Sequence, residues 1–370
     1  MSRRQLRVVT AWCTALLGLG ALAACGSDEP GSRAAGDKPF AGQTLIVGGP
    51  ASDFIEIESE LVDPVFERET GAEIQWVPSD EATSLAKLLA SRGGKPPYDV
   101  VYLGTVTQRA AAEAGVIQEL DYPSLLTNAD EYPDIAYSNP GYAPAYTYAR
   151  VGICVNKEKY DEAGIQLPTD YRGWFDPAVK GHVLFPAAGH AVWTAIIPAY
   201  ASTIGASIDD PQPVVDELAT IDPQALFTSS GDAQQALASG DAWMVAAFNE
   251  GRCRDAAPGM EFLPLHLTVD GTEYPYLALA DSYDVVTGTD KQELAIKFID
   301  ISNEYSAIAD AQITGWIPMR QDVVPKAIER FPEAKEIIEQ SDPGTFYISA
   351  YPDFQENLQE WTKAFNEAMS

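Results

Sequence analysis

The chain has 370 residues, of which 46% are hydrophobic and 21% charged, and it carries a formal net charge of −30 at neutral pH. So acidic a chain repels nucleic acid and lacks the Lys/Arg footprint that such binding needs. The length is more than one hydrophobic core organises comfortably, and it suits two lobes.

The first residues read as an export signal. Arg3, Arg4 and Arg7 make a basic start, and Val8 to Ala24 is uncharged. That stretch contains Thr10, Thr14 and Gly18 and is marginal for a bilayer span, which needs about 20 apolar residues. It ends in Leu22-Ala23-Ala24-Cys25, the pattern of a lipoprotein signal, with small residues ahead of a cysteine that can be acylated. Residues 1–24 are expected to be removed and Cys25 to become the lipid-bearing N-terminus. Ser2-Arg3-Arg4 hints at twin-arginine export, but the hydrophobic consensus after it is poor and Sec export fits better. Residues 25–39 are small, polar and turn-rich, a flexible tether. The expected location is outside the cytoplasm, lipid-anchored to the bacterial cell membrane.

From Gln43 onward strands and helices alternate. Thr44-Leu45-Ile46-Val47 is a short strand closed by Gly48-Gly49-Pro50. Ile57, Leu61 and Val65 then mark a helix that stops near Thr70-Gly71. Glu73 to Pro78 alternates as a strand, Glu81 to Ser91 is a helix with Leu85, Leu88 and Leu89 on one face, and Asp99 to Leu103 is a continuous apolar strand. Gln108 to Gly115 is an alanine-rich helix. This order predicts a parallel sheet covered on both faces, with ligand outside the carboxyl ends of its strands, at Gly48–Phe54 and Gly104–Thr107. Near the C-terminus, Val324, Ile328 and Phe331 mark one helix, and Leu358, Trp361 and Phe365 another.

Cys13 leaves with the signal, so Cys154 and Cys253 remain as an even pair in an oxidising compartment. A disulfide is expected, with two free buried thiols as the alternative. No second Cys or His stands at metal-ligand spacing from either, so no metal is expected. Catalytic signatures are missing as well. There is no Gly-x-Ser-x-Gly elbow, His-Glu-x-x-His helix, Walker A loop or strand-linked Gly-x-Gly-x-x-Gly. No cofactor is expected.

Six segments then occur in a telling order. They are Phe66-Glu67-Arg68-Glu69-Thr70-Gly71; Pro97 to Val101 with Ala112 to Asp121; Tyr146 to Asn156; Trp174 with Asp176 to Val183; Gly240 to Val245; and Gly315-Trp316-Ile317-Pro318. In these segments the chain resembles the type II periplasmic or extracellular solute-binding proteins of ABC transporters, and Tyr146 to Asn156 is similar to their hinge. The resemblance implies a two-lobed α/β fold, each lobe a mostly parallel sheet flanked by helices, the lobes joined by a hinge. Lobe one would take residues 40–145 and 282–315, and lobe two residues 146–281 and 316–370. It further implies a non-catalytic, monomeric receptor that closes on a small-molecule solute and delivers it to the transmembrane permease subunits.

The polyamine-binding branch is the nearest subgroup by pattern. Asp53-Phe54 matches its acid-aromatic pair after the first strand, Asp281 its acid at the second hinge, and Tyr148 its hinge aromatic. Other positions depart: Leu279 stands where an aromatic is expected, Ala188 and Ala191 replace the lobe-two acids, and Val106 replaces an aromatic after the third strand. A dication needs a carboxylate at each end, which disfavours polyamine itself. The candidate ligand-binding set is Asp53, Asp281, Phe54, Tyr146 and Tyr148, the helix-start hydroxyls of Ser52 and Thr105, His190 in the turn before a lobe-two helix, and Asn249. Acids and rings suit an organic cation. Helix-start hydroxyls and amides suit an anion or a sugar. Asp53 also reads as the N-cap of the helix after it. Receptors for iron, thiamine, sugar or phosphonate on the same fold, and a lipoprotein sensor or enzyme, stand as alternatives.

Overall fold

The computed structural model describes residues 38–50, 52–313, 315–348, 354 and 357–370. The expected signal, Cys25 and all but the end of the tether lie outside the described residues.

The predicted alternation opens the fold: β1 (Thr44–Gly49), α1 (Ser52–Thr70), β2 (Glu73–Pro78), α2 (Glu81–Ala90), β3 (Val100–Gly104) and α3 (Thr105–Glu113). Helix α1 buries Phe54, Glu58, Val62 and Phe66 along one stripe, the i, i+4 spacing of a core-facing helix. Helix α3 begins at Thr105 rather than at the predicted Gln108, because the extended backbone of Gly104 already serves as its N-cap. A short α4 (Tyr122–Leu125) leads toward β4 (Thr147–Asn156), which is buried along its whole length.

Then come α5 (Lys157–Ala163), β5 (Val183–Pro186), α6 (Ala191–Ile204), α7 (Gln212–Ala219), β6 (Ala225–Phe227), α8 (Ser230–Ser239), β7 (Met244–Asn249) and α9 (Glu250–Arg254). Strand β8 (Met260–Leu263) and the hairpin β9 (Leu267–Val269) and β10 (Thr272–Tyr274) precede the long strand β11 (Tyr276–Val285). The described chain ends with α10 (Gln292–Asp310), β12 (Trp316–Pro318), α11 (Val324–Arg330), α12 (Lys335–Glu339), β13 (Phe346–Ile348) and α13 (Leu358–Ala368).

The main sheet runs β2-β1-β3-β11-β4-β7-β5-β6. Strands β2, β1 and β3 are parallel, as are β6, β5 and β7. Between the two parallel sets lie β11 and β4, antiparallel to each other and to their outer neighbours. This is the two-lobed α/β fold, each lobe built on three parallel strands and joined through the β11–β4 pair. Lobe one packs Val62, Phe66, Tyr283 and Phe298 on one sheet face and Leu88, Tyr98, Val101 and Leu103 on the other. Lobe two packs Phe185, Trp193, Ile196 and Trp361 on one face, and Leu184, Phe227, Phe248 and the cysteine pair on the other.

The lobe boundaries differ from expectation in two places. The joining strands carry both cores: on β4 Tyr148 packs in the lobe-one core and Val151 in the lobe-two core, while along β11 Leu277 and Leu279 face lobe two and Ala278 and Ala280 face lobe one. The segment from β12 to β13, expected in lobe two, packs Ile317, Met319, Val323, Ala327, Ile337 and Phe346 against lobe one. The reason is its sheet pairing, since β12 adds to β4 at Thr147–Ala149 and β13 runs beside the start of β11. The chain rejoins the lobe-two core at Phe354 and then through Trp361 and Phe365 of α13.

Cys154 on β4 and Cys253 on α9 form a disulfide with Cα atoms 5.6 Å apart, both sulfurs buried. The bridge closes a loop spanning 99 residues. In the chain-entropy account that is worth roughly 4–5 kcal/mol. It pins α9, a helix at the junction of the lobes, to the joining strand. Gly315, at φ +91°, lies so close to Gly251 of this helix that a side chain at 315 would meet backbone.

Candidate functional site

A cavity of about 410 Å³ lies where the two lobes face each other. Its size is that of a small-molecule site. Lobe one and the joining strands supply Asp80, Glu81, Tyr102, Gly104 to Thr107, Ala278 to Asp281, Trp316 and Ile348. Lobe two supplies Gly189, His190, Ala191, Thr194, Ala195 and Thr228. As expected for an open α/β sheet, the wall forms at the carboxyl end of β3 and the start of α3.

Asp281 is the centre of the lobe-one wall. Its backbone pairs with Gly104 on β3 and with Thr147 on β4, so the strand ladder fixes its position. The residue is only 4% exposed, the Tyr102 hydroxyl donates to its carboxylate, and the second oxygen, Oδ2, has no partner. Glu81 approaches from the first turn of α2, and its Oε2 accepts the Gly104 N–H at 2.8 Å. Glycine at 104 leaves room for this approach: a Cβ there would crowd both carboxylates, at 3.0 Å from Glu81 Oε2 and 3.3 Å from Asp281 Oδ1. Burial raises the pKa of both carboxyls, and for Asp281 the charge of Glu81 raises it further.

Two more acids lie behind this wall. Glu58 of α1 and Asp310 at the end of α10 are fully buried. Tyr146 bridges them, its hydroxyl 3.4 Å from Glu58 Oε1 and 3.1 Å from Asp310 Oδ2. Tyr283 and Ser306 also donate to Glu58. Burial nevertheless pushes the Glu58 carboxyl up to about 7, against those hydroxyls. Asp310 is raised well above the ordinary carboxylate range, first by burial and then by the charge of Glu58. Among the described residues no lysine or arginine acts on any of these four carboxyls. Lobe two treats a buried acid differently: Glu250 is held by Arg150 at 2.6 Å and Arg254 at 2.9 Å.

On the lobe-two side His190 is the N-cap of α6, its Nδ1 accepting the Val192 N–H at 3.2 Å. Its ring meets Phe227 edge-on at 5.0 Å, burial lowers its pKa, and an Nδ1 that accepts an N–H belongs to a neutral ring. The proton of the neutral ring is therefore on Nε2.

Of the residues singled out in the sequence, Thr105, His190 and Asp281 come together around this cavity. Phe54 stands one layer back, edge-on to Trp316 at 5.5 Å. Ser52 and Asp53 are exposed in the first turn of α1, and Asp53 faces Arg252 of lobe two at 4.0 Å, outside the cavity. Asn249 caps α9 by accepting the Arg252 N–H. Tyr146 and Tyr148 share a face, and that face is the lobe-one interior, where Tyr148 packs on Phe346 at 4.5 Å. Glu81, Tyr102 and Trp316 were missed. Glu81 reads in sequence as an ordinary helix-start acid, and Trp316 stood inside a recognised motif without being assigned a role.

The sequence model for bacterial extracellular solute-binding proteins matches residues 62–336. No curated protein sequence is significantly similar to this chain. Solved structures with the same fold include an ABC transporter protein from Clostridium perfringens, 19% identical with a TM-score of 0.70, covering 88% of this chain and 100% of its own. An extracellular solute-binding protein from Bordetella parapertussis is 17% identical with a TM-score of 0.71, covering 89% and 99%. A spermidine/putrescine substrate-binding protein from Streptococcus pneumoniae is 13% identical with a TM-score of 0.60, covering 89% and 100%.

The raised carboxyls set the sign of the protein's pH response. A carboxyl whose folded pKa exceeds its unfolded value stabilises fully below the unfolded value, and that contribution is lost as pH rises through the folded one. For Glu58 the window runs from its ordinary 4.5 to about 7. Its share is on the order of 3 kcal/mol. The ligand-free protein should thus melt at a lower temperature at about pH 8 than at about pH 5. Glu58→Gln should flatten that slope. A melting temperature that rises across the window would contradict the reading.

Proposed function

The chain belongs to the bacterial extracellular solute-binding proteins, and we propose that it captures an organic cation in the interlobe cavity and delivers it to an ABC permease, without chemistry on the solute. The observation that carries this reading is the Asp281 carboxylate, buried against the cavity with an unpartnered oxygen and with Glu81 beside the same glycine. An ammonium group placed there supplies the charge that no lysine or arginine supplies, and burial makes the pairing strong. The rings of Tyr102 and Trp316 line the same wall, and aromatic rings suit a cation. That the Streptococcus pneumoniae structure carries spermidine and putrescine in its name supports an amine.

Capture is by hinge closure. Lobe-one and lobe-two residues line one cavity, and the covalent connection between their cores passes through β4, β11 and the segment after β13. Bending at these few crossings would bring His190 and Thr194 toward Asp281. The receptor works as a monomer held at the membrane by a lipid on Cys25, the sequence Leu22-Ala23-Ala24-Cys25 being the support for the anchor.

Two measurements test this reading. A thermal-shift screen over amines, quaternary ammonium compounds, sugars and phosphonates should select a cation, since a ligand at a hundred times its Kd adds about 2.7 kcal/mol. Asp281→Asn, nearly isosteric, should then weaken that ligand about thirtyfold or more by calorimetry, because losing one partner of a desolvated charge pair costs 2–5 kcal/mol. Unchanged affinity would assign Asp281 a purely structural role and remove the cation reading. In a native-like host, Cys25→Ala should shift the protein from the membrane to the soluble fraction, and continued membrane retention would refute the lipid anchor.

A further inference from the structure

The two walls of the cavity differ in kind. Every carboxylate that lines it, Asp80, Glu81 and Asp281, comes from lobe one or the joining strand. The lobe-two wall carries no acid: its polar side chains are His190, Thr194 and Thr228. Thr194 donates its hydroxyl proton back to the Ala191 carbonyl at 2.8 Å, so it is committed to the helix. His190 has spent Nδ1 on the Val192 N–H, which leaves Nε2–H as a donor. Behind it starts α6, a helix of 14 residues, whose positive dipole end adds to the donor character of this wall, although the Val192 and Thr194 N–H groups are already bonded to His190. The wall of acceptors and the wall of donors close on one cavity of about 410 Å³.

We propose that the solute is an aminocarboxylate bound head to tail, its ammonium at Asp281 and Glu81 and its carboxylate at His190 and the start of α6. This rests on the cation-capture reading and narrows it. A diamine would bring its second ammonium against an N–H donor and the positive end of a helix, with no acid within that wall. Burying a charge without a partner is costly enough to reverse the preference. A simple alkylamine pairs at its head and leaves the lobe-two donors unmet. Only a molecule with opposite ends satisfies both walls.

Calorimetry with matched series of ω-aminocarboxylates, α,ω-diamines and alkylamines, each from propyl to hexyl, removes chain length as a confounding variable. The best aminocarboxylate should bind about tenfold or more tighter than the diamine and the alkylamine of equal length. His190→Asn keeps a residue able to cap α6 but removes the Nε2–H. It should cost the aminocarboxylate about tenfold and change alkylamine affinity by less than about twofold. A diamine that binds as tightly as its matched aminocarboxylate overturns the proposal while leaving cation capture standing. So does a His190→Asn variant that weakens all three series equally. If no amine of any series binds, the cation reading falls and the proposal with it.

Discussion

Burying carboxyl groups without a base is the constraint on which the rest of this molecule turns. Glu58, Asp310, Asp281 and Glu81 follow one another from the lobe-one core to the cavity wall, and among the described residues none has a basic partner. Desolvated anions that act on one another repel, so burial and mutual charge both disfavour ionising all four together. The hydroxyls of Tyr146, Tyr283, Ser306 and Tyr102 each satisfy an oxygen but bring no charge. The same chain pairs its lobe-two acid, Glu250, with two arginines. The missing base is therefore a property of this row of acids and not of lobe one as a whole, where the buried Asp99 is paired with Lys291 at 2.9 Å. The cationic solute we propose would supply it.

In the capture we propose, the architecture would convert that local shortage into a motion. Strand β11 carries Leu277 in the core of one lobe, Ala278 in that of the other, and Asp281 at the cavity. Its neighbour β4 changes lobe between Tyr148 and Val151. Few crossings and a continuous ladder make the junction resist twisting while it bends. The disulfide and the Glu250 ion pairs stiffen the lobe-two side of that junction. The Asp281 carboxylate thus sits on the element that closure must bend around, where charge pairing and lobe position are coupled.

The sequence made much of the fold legible, for physical reasons that stop at particular residues. The strand and helix periods from Thr44 to Glu113 announced a parallel sheet because each period reports burial directly. Asp281 and His190 were legible as candidates because the family resemblance placed them at the cleft. Tyr146 and Tyr148 show the limit: alternation puts both on one face, but the partner strand β11 and the cores on either side decide which face that is. Glu58 left a signal that went unread. Phe54, Glu58, Val62 and Phe66 fall on one helical stripe, and an acid inside an apolar stripe marks a buried charge. Trp316 and the β12–β13 segment depended on sheet pairings across the whole chain, which no local pattern contains.

Proton counting tests the central claim most directly. If the four carboxyls share too few charges when the cavity is empty, a cationic solute must drive a proton off them as it binds. Calorimetric titration at about pH 7 in buffers of different ionisation enthalpy measures that number without assigning it to a residue. The account predicts a net release of proton on binding that shrinks in Asp281→Asn and fades at higher pH. Binding of a cation with no release, or with proton uptake, would contradict it.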